Sequence, residues 1–67
     1  MKVSQLIHAM DRDEEIVIDD YDAKMTIYEG AVRGIKKDNP VNKMHIESIA
    51  ARNYTIIVLA VKQRERR

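Results

Sequence analysis

Apolar residues recur along this chain with two periods, and these periods predict its elements. Val3, Leu6, Ile7 and Met10 fall at i, i+3, i+4 and i+7, the stripe of a short amphipathic helix. Ser4 is its expected N-cap, with the chain start as the alternative, and Asp11-Arg12-Asp13 ends the stripe. Two turns of helix are not stable alone in water, so this one must dock on something. Residues 15–19 read as a first strand, Ile16 and Ile18 on one face and Val17 on the other. Residues 20–23 read as a turn in which aspartates hold Asx-type bonds. Residues 24–29 read as a second strand, hairpin-paired to the first, with Met25 and Ile27 inward and Lys24, Thr26 and Tyr28 outward. Residues 31–37 are read as a short helix or 3₁₀ turn in preference to a continuation of strand two past a bulge at Gly30 or Gly34. Residues 38–40 are loop, residues 44–51 a third strand, Arg52-Asn53 a turn and residues 54–62 a fourth strand.

The fourth strand carries the strongest signal. Ile57, Leu59 and Val61 line one face and Ile56, Val58 and Ala60 the other, so it is apolar on both sides. A strand wetted on one side would alternate with polar residues. The expected fold is therefore α+β, a four-stranded mainly antiparallel sheet with the N-terminal helix packed on one face. The second face, carrying Val17, Ile56 and Val58, needs a cover. A neighbouring subunit is the expected one, which predicts a homo-oligomer with a dimer favoured. Residues 1–62 form one domain, and residues 63–67 read as a charged, frayed tail.

Size strengthens the expectation of self-association. A chain of 67 residues buries only about 60% of its unfolded surface, so its stability is marginal. Cysteine is absent, which excludes disulfides and thiolate metal sites and leaves oligomerisation as the available support. The opening does not read as a signal peptide, because Ser4, Gln5 and His8 interrupt its apolar stretch. No run approaches the roughly 18 apolar residues of a membrane span, and a cytoplasmic location is expected.

Charge divides the chain. Residues 1–30 carry a balance of −5 and residues 31–67 a balance of +6. The acids concentrate at Asp11, Asp13, Glu14, Glu15, Asp19, Asp20 and Asp22, and the tail bears Arg64, Arg66 and Arg67. Opposite poles on one small body favour self-pairing or a charged partner.

The segments 2–7, 15–18, 27–32 and 46–49, followed by Ile56-Ile57-Val58, resemble in pattern many small proteins encoded by phages and prophages. That resemblance implies an α+β accessory protein. Some such proteins block host defence, including CRISPR nucleases, and no residue-level motif transfers from them.

Candidate chemistry is sparse. The acidic set Asp11, Asp13, Glu14, Asp19, Asp20 and Asp22 is the expected partner-binding surface, able to imitate phosphates and occupy a host protein's basic groove. The bland reading of the same residues is a solvated turn with charges that deter edge pairing, and it is favoured. Neither acidic run has the glycine and spaced glutamate of an EF-hand. Arg33, Lys36, Lys37 and Arg64 are candidate phosphate contacts, which gives the alternative of a small nucleic-acid-binding regulator. A structural or assembly protein, or an oligomer that holds a small signalling molecule between subunits, are further alternatives. His8 and His45 are too few for a zinc site, and His45 with Glu47 is expected to be a surface pair. Ser4 and Ser48 lie in no nucleophile elbow, and two glycines cannot build a phosphate loop. No enzyme, cofactor or metal is expected.

Overall fold

The computed structural model describes residues 1–52 and 56–62. Helix α1 spans Val3–His8, and strands β1, β2, β3 and β4 span Glu15–Asp20, Thr26–Ala31, His45–Arg52 and Ile56–Lys62. Two 3₁₀ turns, Val32–Gly34 and Pro40–Lys43, lie between β2 and β3. The expected turn after Arg52, the start of strand four at Tyr54, and the tail with Arg64 fall outside the described residues.

The sheet order is β2-β1-β4-β3. Two antiparallel hairpins, β1–β2 and β3–β4, meet along a parallel β1–β4 seam. Two of the three strand pairs are antiparallel as expected, and the parallel β1–β4 pair makes the sheet mixed rather than purely antiparallel. The two central strands, β1 and β4, carry the most continuous apolar runs, and one face of each is covered by α1 and the 3₁₀ turns. Ile16, Val17 and Ile18 of β1 and the run of β4 are these central segments.

Register divides the side chains between two faces. Ile16 is paired with Ile57 and Ile18 with Leu59, and Val61 follows on the same side. These residues join Val3 of α1, Val32 and Val41 of the 3₁₀ turns, and Met44 in one core cluster. The helix and both 3₁₀ turns therefore cover one face. Burying a side chain such as Leu59 or Ile18 contributes about 1.5–3 kcal/mol, which lets so short a helix hold its place.

Local chemistry sets the ends of these elements. The helix begins two residues earlier than a Ser4 cap would allow. Lys2 is the N-cap residue, and Gln5 Oε1 accepts its amide N–H at 2.8 Å. Lys2 also bridges to His45, and the Ile46 amide donates to Met1 O at 2.9 Å, so the chain start covers the first part of the β3 edge. Asp20 Oδ1 accepts from the amides of Asp22 and Ala23, both at 2.9 Å, forming the expected Asx turn, with Lys24 at φ 59° closing it. Residues 32–34 form the 3₁₀ turn favoured over a continued strand. The second 3₁₀ turn stands where only a loop was expected. Asn39 Oδ1 caps it through the Val41 amide, and Pro40 opens it without losing a needed donor.

The facing of strand two is a correction. Tyr28 pairs with Ile18 and so stands on the covered side, where its hydroxyl donates to Ala31 O at 2.6 Å. A register shift between Ile18 and Asp19 lets Thr26 pair with Asp19, which leaves Ile27 in an irregular position. Met25 and Ile27 are 60% and 42% exposed rather than inward. A similar shift between Ile46 and Ser48 puts Ile46 and Ile49 on one face of β3 although they are three residues apart.

Candidate functional site

Among the described residues, the helix and both 3₁₀ turns pack on one face of the sheet and leave the second face without such an element. Its composition follows from strand parity. Reading across β2, β1, β4 and β3, one row holds Ala31, Glu15, Ile56 and Arg52. The next holds Glu29, Val17, Val58 and Ala50. A third holds Thr26, Asp19, Ala60 and Ser48, and Lys62 lies beyond Ala60 on β4. The centre is thus apolar, the β1–β2 half bears three carboxylates with Lys24 near the Asp19 end, and the β3–β4 half bears Arg52 and Lys62.

Val17, Ile56 and Val58 come together on this face as expected, with Val17 directly beside Val58 across the parallel seam. Val17 is only 2% exposed although it stands outside the main core cluster, while Ile56, Val58 and Ala60 are half-buried. At one end of the face, Tyr21 is flanked by two ammonium groups. Lys24 Nζ stands 5.7 Å and Lys62 Nζ 5.5 Å from its ring centroid. These cation–π contacts contribute about 0.5–1 kcal/mol each at an exposed site. A shallow depression runs beside them, lined by Asp19, Asp20, Tyr21, Lys24, Ser48 and Ala60.

The acidic set is divided by the fold. Asp11, Asp13, Glu14 and Glu15 cluster at the start of β1, and Asp19, Asp20 and Asp22 gather at its far end. Glu15 and Asp19, the nearest members of the two groups, are four residues apart along β1, about 13 Å. The far group is engaged locally. Asp19 Oδ1 accepts from Thr26 Oγ1 at 2.8 Å, and Asp20 holds the turn. In the near group Asp13 pairs with Arg33, while Asp11, Glu14 and Glu15 are exposed. Backbone bonds tie this group to the rest of the fold. The Val32 amide donates to Glu14 O at 2.8 Å and the Arg33 amide to Arg12 O at 3.0 Å.

The candidate phosphate contacts do not share one patch. Arg33 is turned toward Asp13, and Lys36 and Lys37 lie on the segment between the 3₁₀ turns. Asn42 Nδ2 anchors that segment by donating to Lys36 O and Lys37 O, at 2.8 and 3.1 Å. His45 lies beside Lys2 and Lys62, and Glu47 falls at the β3 irregularity, so the expected alternation of these two residues along one strand face is interrupted. No group of three or more potential metal ligands occurs among the described residues. Among the same residues, no helix is long and apolar enough to cross a membrane.

Glu29 was not singled out from the sequence, and Arg52 was read as a turn residue, whereas it ends β3. The signal that would have united them with Val17 is strand parity counted through the bulge at residues 46–48. Comparison with known proteins finds no matching family model, no similar curated protein and no similar solved structure. The class that fold and surface define is a small α+β protein with a mixed four-stranded sheet covered on one face.

Proposed function

We propose that this chain is a non-catalytic binding protein of the phage accessory type, which inhibits a host defence nuclease by presenting carboxylates to its basic groove. The observation that carries this reading is the exposed group Asp11, Asp13, Glu14 and Glu15 at the start of β1, held in place by backbone bonds from the Val32–Gly34 turn. A fixed group of carboxylates can stand in for a run of phosphates at little ordering cost. The absence of buried polar or charged side chains among the described residues also favours binding. A catalytic acid or base commonly works from a desolvated position.

The active surface is narrower than the full acidic run, because Asp19 and Asp20 serve the β1–β2 turn. The informative variant is therefore D11K/E14K, which leaves that turn intact. The test is DNA cleavage by purified RNA-guided nucleases. The wild-type chain blocks cleavage by at least one of them, inhibition weakens steeply between about 50 and about 200 mM salt, and the variant does not inhibit while keeping its circular dichroism spectrum. Inhibition that survives charge reversal refutes the acidic mechanism. Failure of the wild-type chain against every nuclease refutes the target class.

A further inference from the structure

We infer that the open sheet face binds a second copy of this chain, packed face to face about a two-fold axis parallel to β1 and β4. Two sheets stacked by a two-fold must have that axis in the plane between them, because the operation turns one face toward the other. Two limiting directions exist. An axis across the strands lays β2 over β2 and sets Glu15, Glu29 and Asp19 against their own copies. An axis along the strands lays β2 over β3, so the acidic half of each copy meets the basic half of the other. The division of charge selects the second arrangement.

The register then follows. With the axis between β1 and β4, Val17 of one copy stands opposite Val58 of the other, and each such contact occurs twice. Arg52 of one copy falls over Ala31 of the other, beside Glu15 on the next strand and Glu29 two residues along. Sheets packed face to face stand about 10 Å apart, a gap that Arg and Glu side chains span together. Lys62 of one copy comes to the Asp19 end of the other.

The buried area suits this partner. Four strands at about 4.8 Å and six residues at about 3.3 Å give a face of about 400 Å² in projection, or about 800 Å² for two copies. Real side-chain relief raises this toward the low end of specific interfaces, about 1,200 Å², so the dimer is concentration-dependent rather than obligate. Glu15 belongs to both surfaces, but Asp11 and Glu14 precede β1 and lie outside the interface, so D11K/E14K tests the inhibitor reading and substitutions at Glu29 and Arg52 test this one.

The experiment is a charge swap read by sedimentation equilibrium over about a hundredfold range of protein concentration. Wild-type protein shows a reversible monomer–dimer equilibrium. E29K alone and R52E alone each raise the dissociation constant by about tenfold or more, because every reversed contact is repeated by symmetry. An equimolar mixture of E29K and R52E recovers most of the affinity lost in either variant alone, since both contacts between positions 29 and 52 are again between opposite charges, while Glu15 of the E29K copy still faces the reversed position 52. Circular dichroism confirms that each variant is folded. The positions are on edge strands and exposed, and E29Q and R52Q serve as milder substitutes if a reversal unfolds the chain. The inference is overturned if wild-type protein stays monomeric throughout, which would assign the face to another partner. Single variants that dimerise like wild type, or a mixture that fails to recover, overturn the axis.

Discussion

Tyr28 and Gly34 form a coupled pair whose energetics can be worked from the structure. The Tyr28 hydroxyl donates to Ala31 O at 2.6 Å in a half-buried position. Removing it in Y28F leaves that carbonyl without its partner and costs about 1 kcal/mol. A methyl group at Gly34 would collide with the Tyr28 hydroxyl oxygen but stand at an ordinary 3.5 Å from ring carbon Cζ. G34A must therefore displace the hydroxyl, breaking the bond and pushing the ring off its rotamer, at about 1.5–2.5 kcal/mol. Reduced freedom of the unfolded chain returns about 0.4–1 kcal/mol, for a net loss of about 1–1.5 kcal/mol. In the Y28F background the colliding atom is gone, and only the gain remains. G34A should then be neutral or stabilising, which corresponds to a coupling energy of about 2 kcal/mol. The assay is urea unfolding of the four proteins followed by far-ultraviolet circular dichroism, because the chain has no tryptophan. Equal cost of G34A in both backgrounds would refute the reasoning, as would a neutral G34A in the wild type.

Other substitutions test other links in the same way. G30A should cost about 1–3 kcal/mol in both Tyr28 backgrounds, because φ of +150° strains any side chain whatever its neighbours. D20A should lose about 1 kcal/mol in urea unfolding through its two turn bonds, while D22A stays within about 0.5 kcal/mol. L59A should cost about 3–5 kcal/mol and leave the chain largely unfolded at room temperature by circular dichroism. V58T should cost less than about 1 kcal/mol in dilute protein and abolish any rise of melting temperature with concentration. A larger cost in dilute protein would mean that the face is dry without a second copy.

Much of the fold is written in periodicity, and its departures come from features that periodicity does not contain. Val3, Leu6 and Ile7 of the helix stripe lie in α1, which ends at His8 short of Met10. The strand expected at 15–19 and the described part of the one expected at 54–62 fall where their patterns place them. The facing of strand two does not. Met25 and Ile27 alternate like inward residues, yet the shifted register after Ile18 turns Tyr28 inward instead. Its ring gains cover there from Gly30 and Gly34, whose missing side chains leave room for the hydroxyl. Strand order is equally illegible in local pattern. A hairpin-only sheet and two hairpins joined by a parallel seam share the same four alternating runs. What separates them is Val17, an apolar residue on the outward side of β1 that matches Val58 across the seam.

The doubly apolar fourth strand has two causes, and the structure assigns each to one face. Ile57, Leu59 and Val61 point toward α1 and the 3₁₀ turns, where Leu59 and Val61 are buried in the core and Ile57 packs half-buried against it. Ile56, Val58 and Ala60 point the other way, where central position screens them only laterally and they remain half-buried. Lateral screening alone does not favour valine and isoleucine over threonine, since all three suit a pleated surface. Nor does it favour sorting Glu15, Glu29 and Asp19 to one half of the face and Arg52 and Lys62 to the other. Charges placed only for solubility would be interspersed. Sorting by half, around an apolar centre, is what a self-complementary surface requires. On the proposed pairing, a second copy supplies the layer that the described residues do not place on this side of the sheet.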